Sequence, residues 1–325
     1  MLSMICHRMA SAGGDDQPTN KCIDVRPNHP IRMNFEIAKS GCYVLQEDFC
    51  QRWVYTLPHS KQPFPAANLI DIQCNDVVLD LNGHLLSKPG SVSNNSNAAG
   101  VTAYINCDPV FRRITVKNGR ISVVRGTPVS IFQQAGDSVL LHKPQEGWRK
   151  LWFPVAGSYL ITPSGALDLY VDTDYVLEDL TLSTKSHAVL LQGRRNVIRR
   201  CRIVGCDSVV QSFGPDCLIE DCEIVLQYGN EFGFSNWSAE PVALRLEDAK
   251  GAVIRNNRFI INTAAGKDAG YVVALHNCQD VQFIGNTVEG VGRLYQADER
   301  SSVTETDTHI EARGHPRLFP WWTRI

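Results

Sequence analysis

Leu177-Glu-Asp-Leu-Thr-Leu182, Ile198-Arg-Arg-Cys-Arg-Ile203 and Ile219-Glu-Asp-Cys-Glu-Ile224 are three copies of one template, starting 21 residues apart. Each opens on an apolar residue, passes through polar ones to a turn residue, and closes on a second apolar one. Looser copies are Leu79-Asp-Leu-Asn-Gly-His-Leu85, Val116-Lys-Asn-Gly-Arg-Ile121, Ile254-Arg-Asn-Asn-Arg-Phe259 and Phe283-Ile-Gly-Asn-Thr-Val288. The later starts lie 35 and 29 residues on, as loop insertions between units would give. A fixed period of about 20–50 residues marks a solenoid, and alternation at period 2 inside each unit marks strands. Three short strands at about 3.3 Å per residue, with three turns, fill a unit of this size. The predicted fold is all-β: a single-domain right-handed parallel β-helix.

Around this body, residues 1–20 are polar and rich in Gly and Asp, and are expected to form a disordered or loose N-terminal arm. Residues 21–290 are expected to hold the β-helix with its N-terminal cap and loop insertions. Residues 291–325, with Pro316, Pro320 and Trp321-Trp322, lose the repeat and are expected to be a capping tail. Residues 142–166 interrupt the pattern with Trp148, Trp152 and Phe153, as an insertion or irregular coil would.

Composition narrows the function classes. The 325 residues carry 32 basic and 34 acidic side chains, net charge −2, with no basic stripe, which argues against nucleic acid. No apolar run reaches the roughly 18 residues of a membrane span. The first residues lack a secretory apolar core, and eleven cysteines, an odd number, argue against a disulfide framework. These point to a reducing, cytoplasmic setting and to a monomer or weak homo-oligomer. Neither a Gly-rich phosphate loop nor a metal-ligand spacing occurs, so no cofactor and no catalytic metal are expected.

Strings such as Val77-Val-Leu-Asp-Leu-Asn-Gly-His84 and Asp280-Val-Gln-Phe-Ile-Gly-Asn286 make residues 41–290 resemble the pectate-lyase-like superfamily of right-handed parallel β-helices. The resemblance implies three strands per coil and a tight turn between the second and third that carries a stacked asparagine ladder. Asn257 and Asn286 match that turn, and Cys201 and Cys222 stand in its place in the preceding coils. It also implies that chemistry is done on the outer face of the first strand, in a groove walled by loops. The activity motifs of the superfamily are missing. There are no paired aspartates as in polygalacturonases and no calcium-binding aspartate cluster with Arg-x-x-Arg as in pectate lyases. Cys107-Asp-Pro-Val110 shares only Asp-Pro with the Asp-Pro-His-Asp of alginate epimerases.

The first strands that follow are Val189-Leu-Leu-Gln192, Val210-Gln-Ser-Phe213, Leu244-Arg-Leu-Glu247 and Val273-Ala-Leu-His276. Alternation turns Leu190/Gln192, Gln211/Phe213, Arg245/Glu247 and Ala274/His276 outward. Glu247 and His276 then share a column about 4.8 Å apart, where the carboxylate can orient the imidazole for proton transfer. Arg245, on the same face, can bind an anionic group. Arg245, Glu247 and His276 are the candidate catalytic residues. Gln192, Gln211, Phe213, His187, Tyr228 and Trp237 are the candidate substrate contacts, the last two on insertions read at 226–241 and 261–271. Asp168, Asp172 and Asp174 are read as a strand-edge turn rather than a calcium site. Arg199/Glu220/Arg255 and Arg202/Glu223/Arg258 are read as a solvated charge ladder.

The function that fits is a cofactor-independent lyase or isomerase working in that groove on a small molecule or oligosaccharide. Two other classes stay open: an intracellular cyclase acting on a hydrophobic biosynthetic intermediate such as a polyketide, and a non-enzymatic structural or adhesion solenoid.

Overall fold

A computed structural model describes residues 22–26, 35–50, 68–88, 98–105, 111–123, 126–133, 148–153, 158–163, 170, 172–206, 208–228, 241–263 and 270–311. The expected arm at 1–20 lies outside these residues. All regular elements among them are strands. Nine parallel strands form the first sheet: Phe35–Ile37, Ile70–Ile72, Ala98–Ile105, Gly126–Gln133, Val189–Gln192, Val210–Phe213, Leu244–Glu247, Val273–His276 and Tyr295–Ala297. Two further parallel ladders hold the second and third strands of each coil. Two long strands, Ile114–Val123 and Val176–Thr184, pair with both and join them into one 17-stranded sheet. The chain is an all-β right-handed parallel β-helix.

Alternation sets the core. Val189, Leu191, Val210, Leu244, Leu246, Val273 and Leu275 point inward and are buried, continuous with the apolar template residues Leu177, Ile198, Ile219, Ile254 and Phe283. The corners on either side of the second strand take a left-handed residue in coil after coil. Asp76, Arg113, Asp174, Arg195 and Asp216 stand before it, and Asn82, Asn118, Asp179, Arg200, Asp221 and Asn256 after it, with φ of 50–60°. Asp and Asn adopt this conformation at the lowest cost among non-glycine residues, which is why the template's turn positions are so rich in them.

The turn ladder is continuous. Asn286 Oδ1 accepts the Asn257 N–H at 3.0 Å, Asn257 Oδ1 accepts the Cys222 N–H at 3.0 Å, and Cys222 Sγ accepts the Cys201 N–H at 3.4 Å. Asn257 and Asn286 also donate to Ile219 O and Ile254 O, and the thiols of Cys201 and Cys222 turn toward Leu177 O and Ile198 O in the same way. A thiol is a weaker donor and acceptor than an amide but has both functions, so cysteine extends the ladder. Its hydrogen bond to Cys201, with burial, holds the Cys222 thiol far above its ordinary range.

Two expectations are corrected and two open points are filled in. The repeat continues past 290: Tyr295–Ala297, Val303–Thr306 and His309–Glu311 form another full coil on the three ladders. It escapes the template because Glu305 occupies the register position of Phe283. The irregular stretch at 142–166 holds an antiparallel hairpin, Trp148–Phe153 with Ser158–Pro163. The late insertions begin later than expected, since Glu223–Tyr228 and Arg258–Thr263 are paired strands. Cys22 and Cys42 form a disulfide, a pairing the sequence left open. Register brings these cysteines together, because Ile23 pairs with Tyr43. Among the described residues this is the single disulfide, a clip and not a framework.

Candidate active site on the first sheet

Leu244–Glu247 and Val273–His276 are neighbouring strands of the first sheet, with Arg245 opposite Ala274 and Glu247 opposite His276. The expected column therefore forms. Its outward side is not an open surface: Leu190, Gln211, Phe213, Glu247 and Ala274 are all buried. Ala274 packs with Val242 and Tyr271, and the Arg293 guanidinium lies 5.6 Å from the centre of the Tyr271 ring.

The Glu247 carboxylate is held by a cation of its own strand. Arg245 Nε donates to Glu247 Oε1 at 2.7 Å, within a single strand. The Glu247 side chain is 4% exposed and that of Arg245 29%. Burial of the carboxylate is tolerable only while the guanidinium neutralises it. The cation is the end of the pair that reaches solvent, and so the end able to meet an anion.

His276 lies between Glu247 in the coil before and Asp298 in the coil after. Burial opposes ionisation of Asp298. Hydrogen bonds from Ser301 Oγ and the Asn277 and Arg300 N–H groups, with the charge of His276, outweigh it and hold Asp298 below the usual carboxylate range. Asp298 belongs to a hydrogen-bonded turn column. Tyr170 Oη donates to Asp248 Oδ2 at 2.9 Å, Asn277 Nδ2 to Asp248 Oδ1 at 2.6 Å, and the Asn277 N–H to Asp298 Oδ2 at 3.0 Å.

The remaining candidates divide. Phe213 stands in register between Gln192 and Glu247. Gln192 Oε1 is buried with no hydrogen-bond partner among the described residues. Gln211 Nε2 lies 2.7 Å from His187 Nδ1, which is 2.8 Å from Ser208 O, so these two candidates form one buried polar cluster at the start of the strands. Tyr228 ends the strand Glu223–Tyr228 on the third ladder, opposite Thr263, rather than a loop over the first sheet. Trp237 lies outside the described residues. Asp172 and Asp174 are both clasped by Arg195, at 2.8 and 2.7 Å. Among the described residues no three His, Cys, Asp or Glu side chains gather as a metal site, and no helix is long and apolar enough to cross a membrane.

Sequence reasoning missed Asp248, Asp298 and Tyr170. The first two directly follow the last residue of a first strand, where earlier coils carry Gly193 and Gly214, so they look like turn filler. Tyr170 reaches Asp248 across 78 residues, which no local pattern signals.

Residues 161–312 match the family model described as a right handed beta helix region. Among solved structures, the A-module of mannuronan C-5 epimerase AlgE6 from Azotobacter vinelandii is 10% identical with a TM-score of 0.36, covering 86% of this chain and 84% of that one. The surface protein and adhesin PfbA of Streptococcus pneumoniae is 10% identical with a TM-score of 0.27, covering 85% of this chain and 88% of that one. No curated protein sequence matches the chain. Residues 161–312 thus carry the sequence signature of the right-handed β-helix family, and the ladders formed by the described residues before 161 extend the same fold.

Proposed function

We propose that the chain is a carbohydrate-acting enzyme of the lyase or isomerase type, working by proton transfer on the outer face of the first sheet. The observation that carries this reading is the buried Glu247 carboxylate held by the partly exposed Arg245, with His276 in register beside it. Charged groups withdrawn from water and set beside a titratable imidazole are a recurrent mark of a functional site. Arg245 would bind the carboxylate of a uronate unit and neutralise the charge that spreads onto it when the adjacent C–H proton leaves. His276 would take that proton. Return of a proton to the opposite face of the carbon inverts it, an epimerisation. Loss of the neighbouring glycosidic oxygen, which leaves with the bonding pair and takes up the proton held by the imidazole, instead gives an unsaturated sugar, an elimination. Glu247, held by Arg245, fixes the direction of the guanidinium rather than taking the proton.

The test is incubation of the full chain with alginate and with pectate. Ultraviolet absorbance would report an unsaturated product and proton NMR an inverted centre. Either product, lost in His276→Ala, supports the reading. Binding without turnover would make the chain an adhesion-type solenoid, and neither binding nor turnover would remove the carbohydrate class.

A further inference from the structure

Tyr170 precedes the strand Val176–Thr184, yet its hydroxyl ends on Asp248, 2.9 Å away, in the third coil beyond that strand. The bond joins positions 78 residues apart in sequence. The sequence makes room for it. In the two intervening coils the first-turn position is glycine, Gly193 and Gly214, with φ of 126° and 111°. A Cβ at Gly214 would stand 2.9 Å from Tyr170 Cδ1 and 2.6 Å from Gly193 O. The ring therefore lies against a turn column stripped of side chains, and its hydroxyl meets the first side chain above, Asp248. Both Asp248 oxygens are engaged, one by Tyr170 and the other by Asn277 Nδ2 at 2.6 Å, and the Asn277 N–H continues to Asp298 at 3.0 Å. Asp248 directly follows Glu247, and Asn277 directly follows His276.

We infer that Tyr170 is a positioning residue, which braces the coils carrying Arg245, Glu247 and His276 through Asp248 and Asn277. The inference rests on the functional reading above for what is being positioned, while the brace itself is a physical link that can be measured without substrate. Tyr170 is 5% exposed and Asp248 7%, so the bond between them is shielded from water. Removing the hydroxyl leaves a buried carboxylate oxygen with one partner fewer.

Amide hydrogen exchange by NMR on the full-length chain, wild type against Tyr170→Phe, tests it. Phenylalanine keeps the ring against Gly214 and removes only the donor. The amides of Gly214, Asp248 and Asn277, bonded to Glu247 O, His276 O and Asp298 Oδ2, should exchange about five- to tenfold faster. Those of Cys222 and Asn257 on the second-turn ladder should be unchanged. Asp248→Asn, which keeps one acceptor oxygen, should fall between. Wild-type exchange at the three amides, or equal acceleration at the two controls, would overturn the brace. In the turnover assay Tyr170→Phe should lower kcat and leave KM unchanged, and an unchanged kcat would overturn the positioning role. Local acceleration in a protein inert on both polyuronates would sink the functional reading and leave the brace standing.

Discussion

The outer surface of this β-helix handles charge in two ways. On the second and third ladders the ion pairs run from coil to coil: Arg199 to Glu178 at 2.6 Å, Arg200 to Asp179 at 2.8 Å, Arg255 to Glu220 at 2.5 Å. There is also a chain in which Arg202 and Arg258 share Glu223 at 2.8 Å each and Arg258 goes on to Glu289 at 2.6 Å. Their arginine side chains are about half in water, at 39–56% exposure. On the first sheet the pair Arg245–Glu247 lies within one strand and its carboxylate is buried. The ladder pairs stitch neighbouring coils, and water still solvates their arginines, although the Glu289 carboxylate is itself buried. The pair on the first sheet joins no coils and carries a desolvation penalty. Cross-strand pairing accounts for the former without any ligand and leaves the latter to be explained by chemistry.

The largest effect that would sharpen this contrast is on turnover. His276→Ala should slow the reaction by about 10²–10⁴-fold, the usual worth of a positioned proton-transfer group. Substitutions in the ladders, such as Arg202→Met, should leave kcat unchanged. Progress curves on the substrate found in the polyuronate assay would decide it, and equal losses from the two substitutions would erase the distinction between the faces.

Stability should separate them next. Arg245→Met strips the guanidinium from a carboxylate that is 4% exposed, and should cost about 2–4 kcal/mol in urea unfolding. Arg245→Met combined with Glu247→Leu should regain most of that stability, since no charge is left buried, while remaining inactive. If the double variant were no more stable than the single one, Glu247 would have another compensating partner and the account of the pair would fail.

The two faces were not equally legible in the sequence. The template at 177, 198 and 219 is enough for the fold, because inward apolar residues and left-handed Asp and Asn corners are local features. The turn ladder could be read through Asn257 and Asn286, and even its cysteine members, because each coil repeats the position. The column Arg245, Glu247, His276 also followed from alternation. What alternation cannot say is which neighbour a side chain chooses. Glu247 had both Arg245 and His276 within reach, and the bond to Arg245 at 2.7 Å emerges only from the folded geometry. Asp298 was hidden for another reason. Its coil carries Glu305 where the template wants an apolar residue, so the last described turn of the solenoid looked like a tail.

Acid should reach the ladders. The hydrogen bond from Arg200, with the charges of Arg200, Arg199 and Lys117, outweighs burial and holds the Asp179 carboxyl below its ordinary value of 3.8. A carboxylate lowered on folding binds protons more readily when unfolded, so its contribution is whole above the unfolded value and drains away as pH falls through the folded one. Urea midpoints measured downward from pH 6 should therefore hold level to about pH 4 and then decline. In Asp179→Asn the decline should be shallower. Raising salt at pH 6 should lower the midpoint slightly, because exposed pairs are screened. An Asp179→Asn profile identical to wild type would show that Arg200 contributes nothing through this contact.

The smallest effect belongs to Arg202. Its Nε bonds Glu223 Oε1 at 2.8 Å, but Glu223 Oε2 is also held by Arg258 at the same distance. The Arg202 side chain is 56% exposed. Removing it leaves Glu223 with a partner and with water. Arg202→Met should thus change the unfolding free energy by less than about 1 kcal/mol, and its methylene stem is largely preserved by methionine. Arg258→Met should cost more, because Arg258 connects Glu223 to Glu289, which is 8% exposed as a residue. The order Arg202 below Arg258 below Arg245 follows the burial of the carboxylate each one serves. Urea unfolding of the three single variants in one buffer would test it, and an Arg202 effect matching that of Arg245 would mean that burial does not set the worth of these pairs.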